Sequence, residues 1–431
     1  MALWHRCLQF SFFLAESFAA NHPLIIVPGL TGSGLEVKEH DAPMPHSFCK
    51  TGTRGKWMKV WVSPVQVLPE EIDCLLSRLT LTYDPASDTY SNLQNVELRA
   101  LGWANGTAED ESHMDILYEY QFRSMLKKLG ETQGYKLGKD VFIAPYDWRL
   151  AGDAHSKRQN GVGGYYPQLQ LLIEETVKAT GRQAVVLSHS LGCPTILYFF
   201  HKFVSEEWKA QHIHGWVALS SPWMGGANLV ESYLGGWTLG LPSWLIPHDY
   251  VRPVQVNASS GVMISPHPKA FGSMPIVQTP SRNYTAADVP ELVRIIGKST
   301  WGNQTGALFD KLQGPYAELQ STPSKIQLHN WYSKGIKTGE AFIFDSDLHD
   351  GFDKAASKTV WGDGDGLVNL LSLKQVEEVW PKDPQTSTKV FPNCTHFGML
   401  SDPRVLTALA EYLARDDRAD TDGSQNVTLL V

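Results

Sequence analysis

Short, uninterrupted apolar runs alternate along the first half of the chain with segments whose apolar residues are spaced as on one face of a helix. The apolar runs lie at residues 23–29, 140–144, 185–187 and 214–223. Runs of this kind are typical of strands buried on both faces of a parallel sheet. Helical spacing follows at residues 114–130, 168–180 and 196–204. The alternation predicts an α/β protein in which helices cover both faces of a parallel sheet.

The alternation stops at Gly225 and resumes near the C-terminus. Residues 225–350 are rich in Gly, Pro, Ser, Trp and His, and a long irregular insertion of this kind predicts a cap or lid. Strand-like and helical segments return at residues 359–361, 367–376, 388–391 and 402–414. We therefore expect a core made of residues 20–48, 75–224 and 351–416, followed by a disordered polar tail at 417–431.

The N-terminal segment has the features of a signal peptide. Residues 1–19 carry two basic residues, then an apolar run, then small residues at the −3 and −1 positions of a cut after Ala19. A buried first helix is the alternative. Six Asn-x-Ser/Thr sequons agree with a secreted or luminal protein, and they lie at Asn105, Asn257, Asn283, Asn303, Asn393 and Asn426.

Composition narrows the classes of function. The net charge of −8 argues against nucleic acid as a partner, because binding to the phosphate backbone needs clustered Lys and Arg. Fourteen tryptophans are more than a core needs, and tryptophan is favoured at lipid interfaces. After the N-terminal segment, no stretch of the sequence reaches the roughly 18 apolar residues of a membrane span.

The segment 49–74 is basic and aromatic and is bracketed by two cysteines, Cys49 and Cys74. These cysteines are the natural disulfide candidates in an oxidising compartment. The segment is either a loop that inserts at a lipid surface or a small satellite hydrophobic cluster. Cys193 and Cys394 are either free thiols or a second bridge.

The strongest chemical signal is the stretch Ser188-His189-Ser190-Leu191-Gly192 at the end of an apolar run. A strand that turns sharply into a helix at a serine flanked by small residues is typical of a nucleophile elbow, although the five residues alone also fit an ordinary loop. The glycine-rich turn 30–34 lacks the Gly-Lys-Ser/Thr of a phosphate-binding loop. We expect the Thr31 amide in this turn to bind an oxyanion instead, together with the amide of Leu191, the residue after Ser190.

A serine nucleophile needs a base and an acid, which in α/β-hydrolases follow it in the order serine, acid, histidine. His396, after the last predicted strand, is the expected base, and the turn 362–366 offers both Asp363 and Asp365 as the acid. This turn lacks the acidic twelfth position of a calcium loop, so we predict no metal and no cofactor. Asp147 and Arg149 are expected to form a buried structural ion pair.

Together these motifs resemble the lecithin:cholesterol acyltransferase family, which includes lysosomal phospholipase A2 and plant acyltransferase-like lipases. The resemblance rests on residues 22–29, 144–149, 188–192, 222–223, 362–369 and 394–396. It implies an α/β-hydrolase fold, with Ser190 as nucleophile, Asp365 rather than Asp363 as acid and His396 as base. It further implies a disulfide-closed membrane-binding loop at 49–74, a lid at 225–265, and Trp61 facing the acyl chain.

The expected function is transfer of a fatty acyl chain from a glycerophospholipid to a lipid alcohol. The expected partner is a phospholipid membrane or a lipoprotein-like surface. A phospholipase A or lipase that uses water is the first alternative, and a catalytically inactive lipid-binding protein is the second. Leu367 stands where the family usually has threonine, which predicts a lost hydrogen bond near the aspartate and reduced activity.

Overall fold

The computed structural model describes residues 21–51, 55–61, 71–101, 103–104, 107–108, 116–236 and 248–414. Its strands are β1 Leu24–Val27, β2 Leu35–Glu39, β3 Met58–Trp61, β4 Leu81–Asp84, β5 Thr89–Asn92, β6 Val96–Ala100, β7 Trp103–Ala104, β8 Thr107–Ala108, β9 Val141–Ile143, β10 Arg158–Gln159, β11 Val162–Gly163, β12 Ala184–His189, β13 Ile213–Leu219, β14 Val277–Gln278, β15 Asn283–Tyr284, β16 Leu328–Tyr332, β17 Ile336–Ile343, β18 Lys358–Gly364 and β19 Thr386–Val390. Its α-helices are α1 Ile72–Leu79, α2 Ile116–Gln133, α3 Tyr165–Thr180, α4 Gly192–Tyr198, α5 Glu206–His212, α6 Asn228–Leu234, α7 His248–Asn257, α8 Ser259–Met263, α9 Pro268–Phe271, α10 Val289–Ile296, α11 Gly302–Ala317, α12 Leu370–Leu373, α13 Gln375–Glu378 and α14 Pro403–Leu413.

A six-stranded sheet forms the centre of the molecule, in the order β19-β16-β13-β12-β1-β9. Every neighbouring pair in it is parallel. The central strands β1 and β12 are buried along their whole length, as expected of strands with a helix layer on each face. The predicted α/β fold with a parallel sheet is confirmed.

The two faces of the sheet bury separate clusters of side chains. In β1, Ile25 and Val27 belong to one cluster with residues of α3 and α4. Leu24 and Ile26 belong to the other, with residues of α2 and α14. Successive side chains of a strand point to opposite faces, so one short apolar strand anchors helices on both sides.

Several smaller sheets surround the central one. Strands β3-β2-β6 form a three-stranded sheet, and β15-β14-β17-β18 form a four-stranded sheet. The predicted disulfide is present, with 5.5 Å between the Cα atoms of Cys49 and Cys74. The predicted ion pair is also present, with Arg149 Nη2 at 2.7 Å from Asp147 Oδ2.

The structure differs from the sequence prediction at two strands. Residues 328–332, which the pattern placed in the insertion 225–350, form β16 of the central sheet. His329 and Asn330 interrupt its apolar run, and the buried Asn330 is satisfied by Trp223 Nε1 and the carbonyl of Leu373. The predicted strand 359–361 is part of β18, which pairs antiparallel with β17 and lies outside the central sheet.

Some predicted segments lie outside the described residues, namely the signal peptide 1–19, the tail 417–431 and parts of the segments 49–74 and 225–265. Across the ranges that the structure describes, no helix combines the length and the apolar character needed to cross a bilayer.

Gly192 supplies a test of how the elbow packs on the sheet. A Cβ at this position would lie 2.6 Å from the carbonyl oxygen of Pro28 and 2.7 Å from that of Val27. Since backbone atoms cannot yield as a flexible side chain can, we expect Gly192→Ala to cost about 1–3 kcal/mol or more and to lower the midpoint of thermal unfolding. Gly130→Ala is the control, because its Cβ would meet nothing closer than 3.4 Å.

In α2, Gly130→Ala should be neutral or stabilising by up to about 1 kcal/mol, the difference in helix propensity. Equal unfolding midpoints for the two variants would contradict this account of the elbow.

Candidate active site

Ser190 lies at the turn between β12 and α4 in a left-handed conformation, with φ of 53°. A non-glycine residue there costs about 1–3 kcal/mol and persists only where the surroundings fix it. Its amide donates to the carbonyl of Leu219 on the neighbouring strand, at 3.0 Å. The neighbouring Gly192 permits the close approach to β1. This is the geometry that the Ser-x-Ser-x-Gly pattern predicts.

Ser188 occupies the position where the commoner elbow pattern has glycine. Its hydroxyl accepts from Trp216 Nε1 at 2.8 Å and donates to Cys193 Sγ at 3.1 Å. The serine is fully buried, and a buried hydroxyl is tolerated when it is hydrogen-bonded. Two partners therefore explain how a polar residue fits a position that usually has no side chain.

His396 and Asp365 are joined by two hydrogen bonds. The ring Nδ1 lies 2.7 Å from Asp365 Oδ2, and the His396 amide donates to the Asp365 carbonyl at 2.8 Å. Asp363 lies at the surface and accepts from the amide of Gly335. Of the two aspartates in the turn, it is therefore Asp365 that contacts the histidine.

The carboxylate of Asp365 is completely buried yet held as an anion. Burial alone would raise its pKa, but the charge and hydrogen bond of His396, with the amides of Val368 and Leu367, outweigh burial and hold that pKa below its usual value. The two amides donate to Oδ1 at 2.8 Å and 3.0 Å. The carboxylate is thus fixed at both oxygens.

Ser190 and His396 line one cavity of about 40 Å³. Most of its wall is apolar and comes from Leu30, Leu229, Ile264, Leu367, Val368 and Phe397. In the part of the chain that the structure describes, no hydrogen bond joins the Ser190 hydroxyl to the His396 ring. Such bonds often tighten only when substrate is bound.

The predicted oxyanion donors lie at two turns around Ser190. Leu191 directly follows Ser190 at the start of α4, where amides have no intrahelical acceptor. Thr31 has φ of 60°, and its carbonyl accepts from Trp61 Nε1 at 2.9 Å. The cavity wall, however, includes Gly29 and Leu30 and not Thr31.

Trp61, predicted to face the acyl chain, contacts the same turn. Besides its bond to Thr31, its ring lies 5.5 Å from that of Trp148 in an edge-to-face arrangement. It packs partly buried against the main core. Trp61 is not one of the described residues that line the Ser190 cavity.

Leu367 contributes its amide and its side chain to the site. The amide donates to Asp365 Oδ1, a bond that does not depend on the side chain at the position. The side chain lines the cavity. The loss of the threonine hydrogen bond and the reduced activity stay predictions.

Cys193 and Cys394 are buried and unpaired. Burial raises the pKa of each thiol to about 12. Because the thiolate is the nucleophilic form of cysteine, neither thiol is poised to act as a nucleophile at neutral pH. The alternative of a second disulfide is excluded in this structure.

Two residues beside the predicted site were missed by the sequence reasoning. His189 precedes Ser190 and bonds the carbonyl of His396 through Nε2 at 3.1 Å. Phe397 follows His396, lines the cavity and is 48% exposed. Their only sequence signal is that they are neighbours of Ser190 and His396. Within the described ranges, no group of three or more His, Cys, Asp or Glu is placed to hold a metal ion.

Comparisons with known proteins agree with the motifs. A family model described as lecithin:cholesterol acyltransferase matches residues 57–298, more than half of the chain. The chain is 29% identical over 400 residues to "Lysosomal phospholipase A and acyltransferase" of Mus musculus, covering 91% of this chain and 90% of the relative. It is 29% identical over 408 residues to "Lecithin-cholesterol acyltransferase-like 1" of Arabidopsis thaliana, with 91% and 90% covered.

A solved structure described as "The crystal structure of Tle4-Tli4 complex" also matches, with a TM-score of 0.56 and 12% identity. The match covers 91% of this chain and 98% of that chain. The likeness spans nearly the whole of both folds and identifies this one as an α/β-hydrolase fold.

The Asp365 carboxylate can be tested without changing its size. Asp365→Asn keeps the shape but offers His396 the wrong hydrogen-bond partner, so the histidine adopts the wrong tautomer. In a serine protease the same exchange lowers kcat by about 10⁴-fold. We expect a loss of similar order in the rate of covalent labelling by a fluorophosphonate, with Asp363→Asn as the matched control.

Asp363→Asn should label like the wild type, because this surface aspartate bonds the amide of Gly335, whereas the His396 ring bonds Asp365. An equal loss of labelling rate in both variants would contradict the assignment of Asp365, rather than Asp363, as the acid.

Proposed function

Because the chain belongs to the lecithin:cholesterol acyltransferase family, we propose that it moves a fatty acyl chain from a glycerophospholipid through an acyl-enzyme on Ser190 to a lipid alcohol. The relatives are named as phospholipases and acyltransferases. The observation that carries the proposal is the buried Asp365–His396 pair, whose histidine lines the same small cavity as a serine held in an elbow.

In the proposed reaction, His396 takes the proton of the Ser190 hydroxyl as the oxygen attacks the ester carbonyl. Asp365 holds the ring with Nδ1 protonated and stabilises the imidazolium that forms. The leaving alcohol, a lysophospholipid, takes the proton from His396. The acyl-enzyme then passes its acyl chain to the acceptor by the same steps in reverse order.

The negative oxygen that forms at each step needs two amide donors. We assign one to Leu191, directly after the nucleophile. The second comes from the turn after β1, where Thr31 was the sequence prediction. The presence of Leu30 in the cavity wall supports the Leu30 amide as the better placed of the two.

The apolar wall favours a lipid acceptor over water. Leu229, Ile264 and Leu367 surround the serine with hydrocarbon, which leaves few groups to hold a water in line for attack. An acceptor that is itself apolar gains by entering such a site. Hydrolysis, as in a phospholipase A, is the alternative fate of the same acyl-enzyme.

We place the substrate at a lipid surface, reached through the segment 49–74 and the region 225–265. Phe48, beside the disulfide, is 45% exposed, as suits an aromatic residue at headgroup depth. Gly226, Leu229 and Ile264 of the proposed lid line the cavity. The disulfide supports a secreted or luminal location, since such bonds persist in oxidising compartments.

Covalent labelling tests whether Ser190 is a working nucleophile. We expect a fluorophosphonate probe to label the wild type and Cys193→Ala, and to leave Ser190→Ala unlabelled. Labelling requires the activated hydroxyl, because an ordinary serine is a weak nucleophile. A wild type that takes up no label would instead support the inactive lipid-binding protein.

The acceptor is tested by following the fate of the acyl chain. Vesicles of labelled phosphatidylcholine are incubated with the protein, with and without a sterol or another long-chain alcohol. An acyltransferase yields labelled ester at the expense of free fatty acid when the alcohol is present. Free fatty acid alone, at equal rates in both vesicles, would assign the protein as a phospholipase.

A further inference from the structure

His189 joins the strand of the nucleophile to the loop of the base. It is the last residue of β12, immediately before Ser190, and it is only 2% exposed. Its ring centroid lies 4.8 Å from that of His396. Its Nε2 lies 3.1 Å from the carbonyl oxygen of His396. The bond therefore links residues that are 207 positions apart.

The direction of this bond fixes the protonation of His189. A carbonyl oxygen can only accept, so Nε2 carries the hydrogen and donates it. Burial first, and then the charge of His396, lower the pKa of His189 to about 3, while the charge of Asp365 acts in the opposite sense. His189 is thus neutral at ordinary pH, with Nδ1 bare, and it adds no positive charge beside the imidazolium that His396 becomes.

The other hydrogen bonds of His396 lead to the acid. Asp365 accepts hydrogen bonds from the ring Nδ1 of His396 and from the His396 amide. These two bonds fix the base relative to Asp365, which follows β18 of the four-stranded sheet. They do not fix it relative to Ser190, which is carried by β12 of the central sheet.

We propose that His189 is a positioning residue that sets the distance between His396 and Ser190 by holding the His396 backbone to the nucleophile strand. This inference rests on the proposed function. It assigns His189 no contact with the reacting atoms. The His189 ring bonds the backbone carbonyl of His396. The loop that carries His396 is therefore fixed, while the His396 ring stays free to exchange protons. A displacement of about 1 Å at such a site can cost about 100-fold in rate.

The test compares variants of His189 that keep or lose the donor. His189→Gln places an amide N–H close to the position of Nε2, whereas His189→Met keeps the bulk without a donor. His189→Asn is polar but too short to reach, and it replaces His189→Met if that variant does not fold. The rate of fluorophosphonate labelling is measured on the folded protein, isolated by gel filtration.

His155 supplies a matched control. It is fully buried, its Nε2 lies 3.1 Å from the carbonyl oxygen of Leu150, and burial lowers its pKa to about 4. It shares with His189 a buried ring, a carbonyl partner and a lowered pKa, but it lies outside the Ser190 cavity and its bond joins residues only 5 positions apart. His155→Met measures what the loss of a buried histidine and its hydrogen bond does to the fold alone.

We expect His189→Met and His189→Asn to label about 10- to 100-fold more slowly than the wild type. His189→Gln and His155→Met should stay within about threefold. The KM for phosphatidylcholine vesicles should be unchanged, because the lipid surface is not altered. The downfield proton resonance of the His396–Asp365 hydrogen bond should broaden only in the variants that lose the donor.

The inference is overturned if His189→Met labels as fast as the wild type, or if His189→Gln is as slow as His189→Met. It is also overturned if His155→Met loses as much activity per folded molecule. Each of these outcomes requires a wild type that takes up label. An unlabelled wild type contradicts the proposed function instead, so the two failures are distinguishable.

Discussion

The left-handed turn at Ser190 is the constraint on which the rest of the site depends. It exists because Gly192 lets α4 press against the carbonyls at the end of β1, and because the Ser190 amide is tied to β13. A turn with unfavourable backbone angles must be held by neighbours on both sides. The central strands β1 and β13 supply those neighbours, which is why the serine is carried by the most deeply buried part of the sheet.

Buried polar contacts of one arginine join several segments that surround the site. Arg149, fully buried, binds Asp147, the carbonyl of Leu79 and Asn92, while its own carbonyl accepts from Ser259 in α8. A buried charge is tolerated when it is paired and hydrogen-bonded throughout. Arg149 thereby joins the core to α1, to the β4–β5 hairpin and to α8 of the insertion.

Much of this arrangement could be read from the sequence, because local patterns report local structure. The elbow needs only a strand, a serine and small neighbours, and Ser190, Asp365 and His396 follow one another in the order that is typical of α/β-hydrolases. The strand β16 was missed because a buried Asn330 satisfied by a distant tryptophan looks like a loop residue in sequence. The sheet to which β18 belongs was also missed, since a short strand-like segment does not show which strand it pairs with.

The contacts that no local pattern reveals are those between distant segments. Nothing in the sequence places the His189 ring on the carbonyl of His396, and a glycine-rich turn does not show which of Leu30 and Thr31 lines the cavity. In both cases the answer depends on the relative position of two chain segments to within a few ångströms. Such positions are set by packing of the whole core.

The great separation of these segments along the chain also bears on how the protein folds. The bond between His189 and His396 spans 207 residues, and contacts of such long range form late because chain entropy must first be overcome. Synthesis delivers the serine long before β19 and the histidine that follows it. A nascent chain that still lacks β19 and the loop after it therefore carries Ser190 without the histidine that would activate it.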